Sequence, residues 1–265
     1  MAERARKPFL IIAHRGASNH APENTVSAFD RAVEMGFHHV ELDAQLSADG
    51  VAVVFHDGTL ERTTDGSGPL AGCTLAQLKS LDAGSWFDQA FRRERIPTLG
   101  ELLLRYRGRA YLHLELKSEE ERLPGIVAEL LVKAGWPTEE KVETASGQSW
   151  PTFGVVISSF HKAQLDRIRP LLPQMPLAWL VQELSFRVLD ESESSGFQAV
   201  CPRAQMVTEG AVADAKRRGL RVRAWGLRSS EELDRLVACG VEGTTCDWPD
   251  EAREYLVGLG IPTFS

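Results

Sequence analysis

The sequence predicts an α/β fold, a TIM (β/α)8 barrel, on three observations. Short runs rich in Val, Ile and Leu recur along the chain, helix-spaced amphipathic segments lie between most of them, and a single junction is too short for a crossover. The runs fall near residues 9–14, 38–45, 51–56, 110–117, 153–158, 176–181, 197–202, 220–226 and 241–246. Strands that alternate with helices pair in parallel, because the helix carries the chain back to its starting edge. The exception is Ser47-Ala48-Asp49-Gly50, between HHVELDAQL and VAVVFHD. A parallel crossover needs about a dozen residues, whereas Asp-Gly suits a tight reversal. The 51–56 run therefore returns antiparallel to its predecessor, and without it eight strands remain, the number that closes a barrel. An open doubly wound sheet is the competing architecture.

The elements follow in order. The first strand, Phe9-Leu10-Ile11-Ile12-Ala13, runs straight into His14-Arg15-Gly16. Glu23-Asn24-Thr25 reads as a helix start, ahead of Val26, Phe29 and Val33 at helical spacing. Thr98 and Glu101 form a capping box before LLLRY, since Thr98 can cap an amide and Glu101 can reach back; the helix is placed at 98–107. Thr208, Ser229 and Ser230 offer further helix starts. The segment from Asp57 to Arg109 is too long for one barrel connection. Residues 58–97, with several glycines and the aromatics Trp86, Phe87 and Phe91, are read as an excursion inserted after the second strand and its hairpin. No linker divides the chain, so residues 1–265 are taken as one domain.

Composition bounds the function. With 43% hydrophobic residues the chain can bury a large core, and a net charge of -7 argues against binding nucleic acid through phosphate contacts. Cys73, Cys201, Cys239 and Cys246 are scattered, with no C-x-x-C pair, and are expected to be reduced packing residues. The basic start of MAERARKPFLIIA leads into only five apolar residues before His14, too short a core for a signal peptide. No apolar run approaches the length of a membrane span. A cytoplasmic protein is expected.

The chemistry gathers where strands end. Side chains alternate along a strand, so Leu112, Leu114 and Leu116 share one face of YLHLELK, and Tyr111, His113, Glu115 and Lys117 the other. Glu41 and Asp43 likewise share a face with His39. In this fold the polar set belongs at the barrel mouth. Three converging carboxylates, Glu41, Asp43 and Glu115, repel one another unless a cation lies between them, and oxygen ligands without cysteine suit Mg²⁺ or Ca²⁺. A turn at Asp49-Gly50 brings His56 beside Glu41 and Asp43. Taken singly, an E-x-D pair is often a solvated face, Glu115 and Lys117 form an ordinary ion pair, and His56 is a turn residue. Their common position at the carboxyl ends of strands is the stronger signal.

The ordered set HRG, PENT, ELD, DG, FHD, LER and LELK, from Ile11 to Asp250, resembles the glycerophosphodiester phosphodiesterase family. LERTTDGSGPLAGCTLAQLKSLDAGSWF and IPTLGELL resemble that family's insertion region. The resemblance implies a TIM barrel, a divalent metal, and hydrolysis of a small-molecule glycerophosphodiester such as glycerophosphocholine to glycerol 3-phosphate and an alcohol. It implies that Glu41, Asp43 and Glu115 are metal ligands, that His14 and His56 are an acid–base pair, that Arg15 and Lys117 lie near the phosphate, and that Trp225 lines the glycerol pocket. There are departures. Trp225-Gly226-Leu227-Arg228 stands where Trp-Thr-Val-Asn is common, and His113 where asparagine is usual. VEGTTCDWPD keeps the aspartate and proline of the last strand, Asp247 and Pro249.

On this reading His14 is the base and His56 the acid, or the reverse, and the nucleophile is water or the substrate's own 2-hydroxyl. Rival readings are a lysophospholipase D-like enzyme, for which Trp86, Phe87 and Phe91 would line an acyl groove although packing into the core of the excursion is the preferred reading of them, a glycosidase using Glu41 and Glu115, and a catalytically silent binding protein. The glycosidase reading leaves His14, Arg15, His56 and Lys117 without a task.

Overall fold

The computed structural model describes residues 8–137 and 153–264; the basic residues 1–7 of the sequence lie outside them. Eight parallel strands close into a barrel. They are β1 (Phe9–Ala13), β2 (His39–Leu46), β4 (Tyr111–Leu116), β5 (Gly154–Ser159), β6 (Leu177–Val181), β7 (Ala199–Pro202), β8 (Arg221–Ala224) and β9 (Gly243–Cys246). Closure is made by β1, which pairs with β9 over Leu10–Ala13 and with β2 at Ala13 and Val40. Each strand run predicted from the sequence is present, and the open doubly wound alternative is excluded by that closure.

The short junction does turn back. β3 (Ala52–Val54) lies antiparallel on the end of β2, with Ala44 opposite Val54 and Leu46 opposite Ala52. Gly50 takes a positive φ of 79° in the turn, a conformation that costs glycine little. The sequence reading has no counterpart for β10 (Thr263–Phe264), a two-residue strand beside the start of β1. Its Phe264 meets the His39 ring edge-on at 5.3 Å, at the amino-terminal end of the barrel.

Two faces of each strand serve two cores. Val40, Leu42, Ala44, Leu112, Leu114 and Leu116 join the main core between strands and helices. The opposite faces fill the barrel with Tyr111, Val156, Ala178, Ala199 and Cys201, and with Leu10 and Ile12. Helices cap as their sequences dictate. Thr25 accepts from the Ala28 amide at the start of α1 (Val26–Glu34), and the Thr98–Glu101 capping box opens α3 (Leu99–Tyr106). Thr208 and Ser229 cap the helices Glu209–Arg217 and Ser230–Ala238. All four cysteines are free. No helix among the described residues is long and apolar enough to cross a membrane.

Residues 58–97 pack on the hairpin around a small core of their own, formed by Val53, Phe55, Leu60, Leu70, Leu78, Ala83 and Ile96. They contain α2 (Leu75–Ser80), capped by Thr74 and Gln77. Trp86, Phe87 and Phe91, expected to pack into that core, are not part of it, since Leu60, Leu70 and Leu78 already fill it. The three aromatics meet edge to face at 5.7 and 5.6 Å, and Trp86 is 39% exposed. None of them lines the cavity at the barrel mouth.

Candidate active site

The carboxyl ends of the strands surround a cavity of about 280 Å³ that holds His14, Arg15, Glu41, His56, Glu115 and Lys117. β2 and β4 run in a register that sets Asp43 beside Glu115 and Glu41 beside His113. Glu41, Asp43 and Glu115 each offer an oxygen within 4.8 Å of the others, and all three are buried. The carboxylates predicted from the strand pattern are thus together.

Their electrostatics differ. Burial, then the charges of Asp43 and Glu115, push Glu41 well above the ordinary carboxyl range. Burial, then Asp43, raises Glu115 to about 7. Burial also disfavours the Asp43 anion, but Lys117 and Arg15 more than compensate and hold Asp43 below its usual value. Lys117 Nζ lies 3.0 Å from Glu115 Oε1 and 3.3 Å from Asp43 Oδ1, and Arg15 Nε lies 3.4 Å from Asp43 Oδ2. Asp43 Oδ1 is buried and, beyond that ion pair with Lys117, accepts no hydrogen bond. Two carboxyl groups driven toward protonation despite the nearby Lys117 and Arg15 are the marks of a site short of positive charge. An all-oxygen set of this kind suits a hard divalent cation.

The histidines come from separate elements. His14 continues the barrel-facing series Leu10 and Ile12 past the end of β1, and His56 follows the β3 hairpin strand. Each ring is held at Nδ1 by an aspartate: His14 by Asp247 Oδ1 at 2.6 Å, and His56 by Asp57 Oδ1 at 2.5 Å. A carboxylate on Nδ1 fixes the tautomer that donates there and leaves Nε2 as the nitrogen that exchanges a proton. His14 Nε2 stands 3.8 Å from Glu41 Oε2. Burial favours the neutral form of His56, and the pull of Asp43 toward the charged form does not overcome it.

Strict alternation would send Arg15 away from the mouth. The backbone corrects this: Arg15 has φ 56° and Gly16 φ 84°, both left-handed. The Arg15 amide donates to Glu41 Oε2 at 3.0 Å, and its Nη1 donates to Glu23 Oε1 at 2.8 Å. A Cβ on Gly16 would lie 2.6 Å from the Ala28 carbonyl carbon. Gly16→Ala is therefore expected to cost at least about 1–3 kcal/mol of stability from backbone strain alone. Urea denaturation checks this, and an unchanged midpoint would contradict it.

Trp225 is fixed by its indole N–H, which donates to Val181 O at 3.0 Å, and it meets Phe160 edge-on at 5.1 Å. Both rings line the cavity, so the site has a polar side at β1, β2 and β4 and an aromatic side across it.

Sequence reasoning did not find several contributors. Asn24, read as part of a helix start, has φ 57° and donates from Nδ2 to Asp43 Oδ2 at 2.8 Å. Asp57 and Asp247 hold the two rings, and Glu23 holds Arg15. The adjacency of Asp57 to His56 was a usable signal. The 233-residue separation of His14 from Asp247 offered none.

The chain matches the model of the glycerophosphoryl diester phosphodiesterase family over residues 14–251. A glycerophosphodiester phosphodiesterase of Caldanaerobacter subterraneus subsp. tengcongensis is 35% identical over 251 residues, spanning 91% of this chain and 95% of its own. One from Bacillus subtilis is 31% identical over 254 residues, spanning 91% and 84%. Among solved structures, an Oleispira antarctica phosphodiesterase in complex with the product sn-glycerol-3-phosphate superposes with a TM-score of 0.83 at 32% identity, covering 95% of this chain and 97% of that one. The family match runs from His14 past Asp247 and so takes in both histidines and all three buried carboxylates: the chain belongs to the glycerophosphoryl diester phosphodiesterase family, a family of phosphoric diester hydrolases.

Proposed function

We propose that this chain hydrolyses glycerophosphodiesters, such as glycerophosphocholine, to glycerol 3-phosphate and an alcohol, with a divalent cation held by Glu41, Asp43 and Glu115. The observation that carries the reading is one cavity facing two imidazoles, each oriented by an aspartate, toward a cluster of three buried carboxylates. The product bound to the Oleispira antarctica phosphodiesterase supports glycerol 3-phosphate as the retained half.

A phosphodiester is anionic and repels a nucleophile. Bound at the carboxylates, Mg²⁺ or Ca²⁺ would withdraw charge from a non-bridging oxygen and orient the phosphorus. Arg15 and Lys117 sit beside the same carboxylates and supply charge-assisted donors to the phosphate. One imidazole takes the proton of the nucleophile, whether water or the glycerol 2-hydroxyl, and the other gives a proton to the leaving alkoxide. Asp57 and Asp247 keep the Nε2 nitrogens in place for that exchange. Trp225, with Phe160, gives the glycerol carbons an apolar wall.

Release of glycerol 3-phosphate from glycerophosphocholine and glycerophosphoethanolamine tests the reading. Both are expected to turn over faster than lysophosphatidylcholine, because Trp86, Phe87 and Phe91 lie outside the cavity and provide it no acyl groove. Faster release of choline from lysophosphatidylcholine would instead favour the lysophospholipase D-like alternative. Metal-dependent binding of glycerophosphodiesters without turnover would favour the silent binding protein.

A further inference from the structure

Arg62 belongs to the excursion, and its guanidinium meets two carboxylates at once. Nε donates to Asp57 Oδ2 at 2.6 Å and Nη2 to Asp57 Oδ1 at 3.0 Å. Nη1 donates to Glu23 Oε2 at 2.6 Å and Nη2 to Glu23 Oε1 at 2.8 Å. Each contact is two-point, the geometry that a planar guanidinium offers and an ammonium does not. Beyond Asp57 lies His56, and beyond Glu23 lies Arg15. One unbroken series therefore runs from His56 through Asp57, Arg62 and Glu23 to Arg15.

The backbone that presents Arg62 is anchored on both sides. Leu60 is fully buried in the excursion core, Thr63 and Thr64 are buried, and Thr64 Oγ1 donates to Leu60 O. Arg62 itself is 45% exposed. The two partners are better shielded than the cation, Glu23 at 12% exposure and Asp57 at 26%, and a two-point contact to each fixes the plane of its carboxylate as well as its charge. Without Arg62, Asp57 and Glu23 would each keep a contact to the site but lose the fork that sets the carboxylate plane.

We propose that Arg62 is a positioning residue for the phosphodiesterase reaction. It acts through Asp57 on the His56 imidazole and through Glu23 on the Arg15 guanidinium. The excursion thereby serves both ends of the polar site by delivering this cation to it. The inference rests on the reading of His56 as a proton-transfer group and of Arg15 as a phosphate ligand.

The test uses the full chain with glycerophosphocholine and Mg²⁺. Arg62→Ala and Arg62→Gln are expected to lower kcat by about 10–100-fold, the usual loss when an outer partner of an active group is removed, and to raise KM. Rates are compared well below the melting temperature of each variant, since loss of two bidentate contacts can itself lower stability. Arg62→Lys should not restore kcat, whereas added guanidinium ion should partly restore Arg62→Ala. In the double variant Arg62→Ala/Asp57→Asn the two kcat losses should combine to less than their product, because both changes act in part through His56. Losses that multiply, or full kcat in Arg62→Gln beside an inactive His56→Ala, would overturn the positioning role. Full activity in His56→Ala would overturn the underlying acid–base reading instead. If the Arg62 variants do not fold, Glu23→Gln tests the Arg15 end: KM should rise more than kcat falls, and an unchanged KM would count against the proposal.

Discussion

His56→Ala and His14→Ala are each expected to lower kcat by about 10²–10⁴-fold, the range for losing one general acid or base. The effect should fall on kcat and kcat/KM together, because a proton in flight is a feature of the transition state and not of bound substrate. Both rings stand at the cavity wall, about a quarter exposed, so their removal leaves the core intact. The pH profile separates their roles. Loss of the base removes the acidic limb of kcat/KM against pH, and loss of the acid removes the basic limb. Asp247→Asn and Asp57→Asn should mimic the histidine variants in part, since each aspartate fixes the tautomer of its ring. Undiminished turnover in both histidine variants would end the acid–base assignment.

Excess EDTA is expected to abolish turnover, and Mg²⁺ or Ca²⁺ to restore it. Asp43→Asn and Glu115→Gln should weaken that restoration most, since each removes an anionic oxygen from a three-carboxylate set. A thermodynamic signature accompanies this, with its sign set by Glu115. In the metal-free protein its carboxyl group is raised to about 7 by burial and Asp43. A raised carboxyl pKa means that the fold favours the protonated form. That contribution to stability is complete below the ordinary carboxyl value of about 4.3 and is lost as pH rises through about 7. A divalent cation binds the ionised form and must displace that proton in more acidic solution. The rise in Tm on adding Mg²⁺ should therefore grow between about pH 5 and pH 8 and then level off. Equal melting temperatures with Mg²⁺ and with EDTA at pH 8, or full activity in EDTA, would exclude the metal centre.

Much of the barrel and its site could be read from local rules. Alternation placed Glu41, Asp43 and Glu115 on the barrel-facing sides of β2 and β4, because the apolar partners on the other face had helices to cover. The four-residue junction forced a hairpin, and the hairpin carried His56 to the mouth. Arg15 resisted that logic, because alternation applies only while the backbone stays extended and Arg15 takes a left-handed φ. The aromatics of the excursion resisted it as well. Their spacing does not show whether they enter a core, and Leu60, Leu70 and Leu78 had already filled it.

Local rules are enough for the eight barrel strands, the hairpin, several helix starts, and the identity of the acidic and imidazole groups at the strand ends. These follow from periodicity, capping and junction length, which are properties of neighbours along the chain. Which group holds which depends on the folded chain. Asp247 reaches His14 because β9 closes the barrel against β1, and Arg62 meets Glu23 because the excursion folds over the β1–α1 loop. Such pairings depend on closure and packing between distant segments. No local pattern encodes them, and they turn a set of reactive side chains into an oriented site.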